Sequence, residues 1–552
     1  MDSILILDFG SQTTALIGRR IRELGVYAAI IPGDTPLNDE ILRDVKGIVL
    51  SGSPESVYGA GAAVDRRIYE CGLPLLGICY GLQRMTHDLG GKVEALPTRE
   101  FGGVEVKLGV KKIKPSSKPN WAAMAFFSGF LGREELNLWN ILTGKRSISS
   151  FNAWMSHGDT IVEAAPDFVE AATSAHGYPA ILYHSEKPWF GLQFHPEVSH
   201  CELGNKILAA FVSGVCRAAP SWSMEHYLEE AVLEIQKKTD GRPVLLLISG
   251  GVDSTVAAAL LLRALNPEQV HLMYVDTGLM RKNESEDVKK ILAALGAKNV
   301  HIVEAGADFF VALAGISQPE AKRKTIGDLF ISVQEREVEK LNLGDEYILV
   351  QGTLYTDLIE SGKGVGKKAH LIKSHHNVGS PLVEAKRAAG KILEPLDKLY
   401  KDEVRALGRL LKVDEAVIGR HPFPGPGLAV RILGEVTEEK CAILREADAI
   451  FIDELKRREN PETGRRLYDE IWQAFAVLLP VRSVGVAGDE RKYGWVLALR
   501  AVISADGMTA DVYPFMAKDI LEISTLITNS VSGIGRVALD ISSKPPATIE
   551  WE

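Results

Sequence analysis

Residues 244–256 read Val-Leu-Leu-Leu-Ile-Ser-Gly-Gly-Val-Asp-Ser-Thr-Val, and the segment "AAALLLRAL" follows directly. An apolar run bounded by a turn reads as a buried strand, and the alanine- and leucine-rich run after it reads as a helix. Strand, tight glycine turn and helix are the layout of a phosphate cradle, in which backbone N–H groups and the positive end of the helix face an anion. The usual nucleoside-triphosphate loop carries a Lys, whereas this one carries Asp253. A carboxylate against bare phosphate oxygens repels by something on the order of several kcal/mol in a poorly solvated site. The acid makes sense with a Mg2+ between the two.

Outward from this loop, "VHLMYVD" (270–276), "NVHIVEA" (299–305) and "EYILVQG" (346–352) read as further strands. Val288, Ile291, Leu292 and Leu295 fall at i, i+3, i+4 and i+7, the stripe of a helix packed on a sheet. The Pro/Gly-rich "RHPFPGPGL" (420–428) continues neither element type and marks a boundary. Beyond it, "RSVGVAG", "YGWVLALRAV", "KDILEISTLITNS" and "RVALDIS" predict an α+β module.

Upstream, "ILIL" (4–7), "YAAII" (27–31), "GIVL" (47–50) and "LPLLGIC" (73–79) alternate with loops or amphipathic segments, the rhythm of a parallel α/β sheet. The basic, Pro/Ser-rich stretch 109–124 reads as a surface loop or insertion. The composition shifts again near 217–232, at "RAAPSWSMEHYLEEAV". The expected domains are 1–216, 222–427 and 428–552, which agrees with a soft prior of about 150 residues per domain.

Bulk properties narrow the function classes. A formal charge of −9 argues against a general nucleic-acid binder. The opening "MDSILILDFGSQTT" does not read as a signal peptide, and the sequence lacks an apolar run of the roughly 18 residues that a membrane span needs. The five cysteines (Cys71, Cys79, Cys201, Cys216 and Cys441) show no paired spacing, which favours free thiols in a cytoplasmic setting.

One thiol stands out. "GICYG" (77–81) places Cys79 between small residues, after an apolar strand and before a helix candidate. Such a turn lifts a nucleophile out of the sheet, and the helix N-terminus favours thiolate. His195 and Glu197 in "GLQFHPEVSH" are two residues apart, so in an extended segment they share a face. Together the three supply a nucleophile, a base and a carboxylate that orients the base. His157 in "WMSHGDT" is a rival base, but Asp159 and Thr160 predict a turn in which it caps a loop. An oxyanion could be met by the N–H groups of Gly52 and Tyr80.

"GICYGLQ" and "QFHPE" resemble the class I glutamine amidotransferases, which implies attack of Cys79 on a glutamine side-chain amide and release of ammonia. "SGGVDST" is similar to the pyrophosphate loop of the N-type ATP pyrophosphatases, within the adenine-nucleotide α-hydrolase-like fold. That similarity implies a substrate oxygen attacking the α-phosphorus of ATP, with pyrophosphate leaving. ATP-binding residues would be Ser249, Gly250, Gly251, Val252, Asp253, Ser254 and Thr255.

"VDTGLMRKNE", "QGTLYTDLIES", "IKSHHNVG", "EPLDKLYKDEVRALG", "RHPFPGPGLAVRILGE", "LPVRSVGV" and "SKPPATIEWE" extend the resemblance, nearly end to end, to the glutamine-hydrolysing GMP synthetase family. The resemblance implies L-glutamine, ATP and xanthosine 5′-monophosphate (XMP) as substrates, Mg2+ as cofactor and a homodimer formed through the C-terminal module. It also implies that Lys373, His375, His376 and Asn377 form a lid over the ATP phosphates, and that Asp357 joins Asp253 near the metal. Arg281, Gln473, Asp489, Arg536, Lys544 and Glu550 match its XMP site. A rival acceptor, of the kind used by NAD synthetase-like enzymes, is disfavoured by "SKPPATIEWE".

The sequence departs from the family in three places. The segment 109–152 has an unfamiliar composition, Glu490 stands where Gly is common, and Ser380 replaces a lid Gly.

Overall fold

The computed structural model describes residues 1–59, 64–109, 120–131, 150–344, 346–355, 357, 381–487, 490–504 and 509–552. They fall into two compact units, the first holding Met1–Tyr227 and the second starting at Leu228.

The first unit is built on nine strands: β1 (Ser3–Asp8), β2 (Tyr27–Pro32), β3 (Val45–Leu50), β4 (Leu75–Ile78), β5 (Lys92–Leu108), β6 (Ser150–Glu163), β7 (Phe168–Ser174), β8 (Pro179–His184) and β9 (Trp189–Leu192). Their order is β2-β1-β3-β4-β9-β8-β7-β5-β6. The half from β2 to β9 is parallel, as expected. The other half is antiparallel, and β7, β8 and β9 within it follow one another through connections too short for a crossover.

Two local expectations are corrected here. His157 is not in a turn: it lies inside β6, directly opposite Glu100 of β5. Cross-strand pairing along β5 outweighs the turn preference of Asp159 and Thr160. The end of the stretch read as a surface loop is also helical. Asn120 accepts a hydrogen bond from the Ala123 N–H and starts the helix Trp121–Leu131. Phe126, Phe127 and Phe130 of this helix are buried, with the Phe126 ring 4.3 Å from that of Phe190. This part of the unfamiliar segment therefore builds the first unit's core. Residues 110–119 and 132–149 lie outside the described residues.

The second unit contains a parallel sheet of β10 (Val244–Ile248), β11 (Val270–Asp276), β12 (Asn299–Glu304), β13 (Ile348–Val350) and β14 (Ile392–Leu393), in the order β12-β11-β10-β13-β14. The order reverses on either side of β10, so its C-terminal end is a topological switch point, where doubly wound sheets bind ligands. The helix Val252–Ala264 starts there, and Val288 and Leu292 bury the predicted stripe of the helix Glu284–Ala294.

A further sheet joins β15 (Gln473–Ala487), β16 (Glu490–Ile503), β17 (Asp511–Val512) and β18 (Ile534–Leu539). Gly427 turns the chain with φ +63° and lies against Leu279, whose carbonyl oxygen an added Cβ would approach to 2.4 Å. One apolar core carries Leu245, Met273 and Leu349 together with Leu444, Ala474 and Leu497, so the C-terminal sheet packs onto the nucleotide-type sheet's own core.

Candidate active sites

In the first unit Cys79 sits between β4 and the helix Tyr80–Asp88 with φ 52°, a conformation disfavoured for any residue with a Cβ. Its flanking glycines explain how the turn is held. A Cβ on Gly77 would come 2.6 Å from the Leu82 nitrogen, and one on Gly81 would come 2.2 Å from the Leu50 carbonyl oxygen. The Cys79 N–H donates to the Leu192 carbonyl at 2.7 Å, which pins the elbow to β9. β9 leads directly into Gln193, His195 and Glu197.

His195 and Glu197 meet as expected, with Nδ1 2.7 Å from Oε1 and both side chains buried. Burial opposes charge on this imidazole, but Glu197 and the neighbouring Cys79 thiol outweigh it and hold the His195 pKa well above its ordinary value. Nδ1 is committed to Glu197, which leaves Nε2 to exchange protons with a substrate or thiol. Gly52 lies against the ring: a Cβ there would be 3.2 Å from the His195 Cε1. Tyr80 opens the helix that follows Cys79, where N–H groups lack intrahelical acceptors.

Sequence reasoning missed a polar network behind the thiol. Gln193 Nε2 points to Cys79 Sγ at 3.8 Å, and Cys79 Sγ to the Ser156 carbonyl at 3.8 Å. Gln83 Nε2 donates to the Asp159 carbonyl at 2.8 Å. His157 Nδ1 donates to the Asp159 carbonyl at 2.9 Å, and its Nε2 makes an ion-pair contact with Glu100 at 3.0 Å. These groups shape β6 beside the nucleophile. Gln193 lies inside the "QFHPE" motif, which was the available signal.

In the second unit the glycine turn has the shape its sequence predicts. Gly250 takes φ +75° and Gly251 caps the helix Val252–Ala264. Ser254 Oγ accepts from the Ser249 N–H at 3.2 Å, and Thr255 Oγ1 donates to the Gly251 carbonyl at 2.8 Å. These hydroxyls fold the loop on itself, and the first N–H groups of the helix Val252–Ala264 lack intrahelical acceptors, as at any helix start.

Two cations outside the loop also hold it. Arg420 Nη1 donates to the Gly250 carbonyl at 2.8 Å, while its Nη2 lies 2.9 Å from the buried Glu284. Lys401 Nζ lies 2.7 and 2.6 Å from the two oxygens of Asp253. Both residues belong to stretches singled out in the sequence, "EPLDKLYKDEVRALG" and "RHPFPGPGL", yet neither stretch says what its cation touches.

Comparison with known proteins agrees with this division of chemistry. A family model described as "Glutamine amidotransferase class-I" matches residues 5–215, one described as "NAD synthase" matches 224–317, and one described as "GMP synthase C terminal domain" matches 462–551. "GMP synthase [glutamine-hydrolyzing]" of Aquifex aeolicus (strain VF5) is 46% identical over 553 residues, spanning 100% of this chain and 99% of the relative. The protein of that name from Neisseria meningitidis serogroup B (strain ATCC BAA-335 / MC58) is 46% identical over 555 residues, with the same coverage. That from Bacillus licheniformis is 45% identical over 553 residues, again covering 100% and 99%. The chain belongs to the glutamine-hydrolysing GMP synthase family.

Of the positions matched to the XMP site of the GMP synthase family, Gln473 and Glu550 bond each other, and Arg281 shares an aromatic ring with Arg431, which holds Glu550. Gln473 Nε2 donates to Glu550 at 2.8 Å, and Arg431 holds the same carboxylate through Nη2 at 2.9 Å and Nε at 3.2 Å. Arg281 reaches the Ala474 carbonyl at 3.4 Å and pairs with the buried Asp448 at 3.2 Å. The Arg281 and Arg431 guanidinium groups lie 4.9 and 5.0 Å from the centre of the Phe423 ring. Burial pulls the Arg281 pKa down, with Asp448 opposing. Arg431, which is fully buried, is a further residue that sequence reasoning missed.

Arg536 sits on β18, where its Nε donates to Ser483 on β15 at 3.0 Å. Lys544 pairs through its backbone with Ala510. Asp489 and the lid residues Lys373, His375, His376, Asn377 and Ser380 lie outside the described residues, and Glu490 is described only as backbone. Asp357 is half-buried, with Thr356 and residues 358–380 also outside those described. Among the described residues, no group of three or more His, Cys, Asp or Glu side chains forms a ready metal cage, and no helix is long and apolar enough to cross a membrane.

Proposed function

We propose that this chain converts XMP to GMP in two coupled steps. In the first unit Cys79 attacks the side-chain carbonyl of L-glutamine, and His195, steadied by Glu197, passes a proton to the departing ammonia. The N–H groups of Gly52 and Tyr80 receive the oxyanion of each tetrahedral intermediate. In the second unit the loop 249–255 holds the β- and γ-phosphates of ATP, the XMP O2 attacks the α-phosphorus, and pyrophosphate leaves. Ammonia then displaces AMP at C2 and yields GMP.

The observation that carries this reading is the 46% identity to a glutamine-hydrolysing GMP synthase across 100% of the chain. The buried His195–Glu197 pair beside the strained Cys79 supports the glutaminase half, and the glycine turn with a helix start at the switch point supports the ATP half. XMP would lie near Arg281, Gln473 and Glu550, with Asp489, Arg536 and Lys544 completing its site and Lys373, His375, His376 and Asn377 closing over ATP.

The metal fits what is present at the loop. Mg2+ prefers hard oxygen ligands and is commonly held by one or two carboxylates plus substrate phosphates, so Asp253, with Asp357, suits it without a dedicated protein cage. When bound it would offset phosphate charge.

We further infer a cytoplasmic homodimer joined through residues 428–552. Val484 and Tyr493, opposite each other on β15 and β16, are 49% and 65% exposed and supply apolar surface of the kind a subunit contact covers. Light scattering should give twice the mass of the chain.

The reaction is tested by mixing the protein with ATP, Mg2+, glutamine and XMP. GMP, AMP and pyrophosphate should appear together. Pyrophosphate release with a different acceptor, and none with XMP, would overturn the substrate.

A further inference from the structure

A buried ammonium lies one step behind the residues assigned to XMP. Lys322, in the first turn of the helix Pro319–Lys340, is fully buried. It donates to the Glu552 carboxylate at 2.6 Å, to the Ile432 carbonyl at 2.6 Å and to the Ala429 carbonyl at 3.2 Å. An ammonium has three N–H donors, and all three are used. The neighbouring Arg323 donates to the main-chain oxygen of Glu552.

These contacts surround the Arg431–Glu550 pair. The two carbonyls bracket Arg431 in the turn Gly427–Arg431, and Glu552 is two residues beyond Glu550. Glu550 and Glu552 reach Arg431 and Lys322, while Trp551 between them donates to Asp540 at 2.9 Å. One ammonium thus ties the turn that carries the guanidinium to the segment that carries the carboxylate. The fully buried Arg500 holds the same segment further back, through the carbonyls of Ile549 at 2.7 Å and Thr548 at 2.9 Å.

Stability alone is a poor reason for this arrangement. Withdrawing an ammonium and a carboxylate from water costs about as much as their attraction returns, and apolar residues of similar volume often serve a core as well or better. Burial accordingly pulls the Lys322 pKa down, with Glu552 opposing. The first turn of a helix is also where a cation is disfavoured. What the pair supplies is a fixed geometry, and Glu550 needs one, because its partly exposed carboxylate is shared between Gln473 and Arg431. Arg431 Nη1 is buried and finds no acceptor among the described residues, so the group that holds Glu550 has a donor left over.

We propose that Lys322 and Glu552 are positioning residues for XMP: they fasten the Arg431 turn to the segment 548–552 and hold Glu550 where the nucleotide meets it. Neither touches the substrate; both act through Arg431 and Glu550. The role rests on the assignment of Glu550 to the XMP site given above.

The test is GMP formation from free ammonium by the full-length protein, which bypasses the glutaminase, with XMP and ATP varied in turn. The proteins are wild type, Glu552→Gln, Lys322→Met, the double variant and Glu550→Gln. Glu552→Gln keeps the shape and removes the charge, so the KM for XMP should rise about fivefold while kcat and the KM for ATP stay within about twofold of wild type. Lys322→Met leaves the Glu552 carboxylate buried against two carbonyls and should raise the KM for XMP about 20-fold; adding Glu552→Gln should recover part of that loss. An unchanged KM for XMP in Glu552→Gln overturns the proposal whether or not Lys322→Met folds. Equal losses for XMP and ATP, additive losses in the double variant, or failure of Glu552→Gln to fold also overturn it, since the ammonium would then be a structural strut. The reading beneath it fails separately, if wild type forms no GMP from XMP or if Glu550→Gln leaves the KM for XMP unchanged.

Discussion

His195 Nδ1 lies 2.7 Å from Glu197 Oε1, and the carboxylate that orients this imidazole is itself fully buried. The pair therefore fixes the ring's tautomer and favours the imidazolium, and both properties can be measured.

Glu197→Gln should keep the geometry but lose the charge. By analogy with other nucleophile–base–carboxylate sites, glutamine hydrolysis should fall by about 10²–10⁴-fold in kcat while ammonium-dependent GMP formation stays near wild type. The His195 pKa is raised on folding, so its stabilising contribution is complete below the unfolded value of about 6.5 and disappears as pH rises through the folded value. Denaturant melts from pH 6 upward should show this decline in the wild type and a flatter profile in the variant.

Cys79→Ala should abolish use of glutamine and leave GMP formation from free ammonium. Loss of both activities in a folded variant would mean that Cys79 serves more than the glutaminase step.

Gly81→Ala tests the elbow without touching a reacting group. The new methyl would have to move the Leu50 carbonyl, 2.2 Å away, and overpacking of this kind costs about 1–3 kcal/mol. The first unit's melting temperature should fall and glutaminase activity should fall with it. Unchanged melting would show that the Leu50 strand gives way easily.

Glu100 is buried between His157 and His176, with His176 Nδ1 2.6 Å away. Burial raises its pKa, but the polar groups of His157, His176 and Ser174 outweigh this and bring it down to about 2. A lowered carboxylate pKa stabilises the fold above the unfolded value of about 4.3, and the gain is lost as pH falls toward about 2. Glu100→Gln should be less stable than wild type at pH 7, and the gap should close on acidification across that window.

Arg431→Met removes the partner that holds Glu550. Arg431 is fully buried but Glu550 is 20% exposed and keeps its bond to Gln473, so the loss should fall below the roughly 3–5 kcal/mol of a fully buried pair and still lower the melting temperature. Because Glu550 also bonds Gln473, the KM for XMP should rise more than kcat falls. An unchanged KM would separate Glu550 from XMP binding.

Much of this protein is set by local sequence. The strand, glycine turn and helix at 244–264, the elbow around Cys79 and the spacing of His195 and Glu197 all depend on residues close together in the chain. Backbone preference and hydrophobic period act over just that range, and the corresponding elements appear where the sequence places them. Tertiary structure decided what depends on residues far apart. It put His157 opposite Glu100 in a strand, where local signals predict a turn, because strand pairing is set by a partner 57 residues away and not by neighbours. It buried the Phe-rich helix Trp121–Leu131 in the first unit's core. It also brought Arg420 to Gly250, Arg431 to Glu550 and Lys401 to Asp253, across 170, 119 and 148 residues. A charged side chain carries no periodic signal that names its partner, so the sequence could place an acid in the loop, but only the tertiary structure could show which lysine meets it.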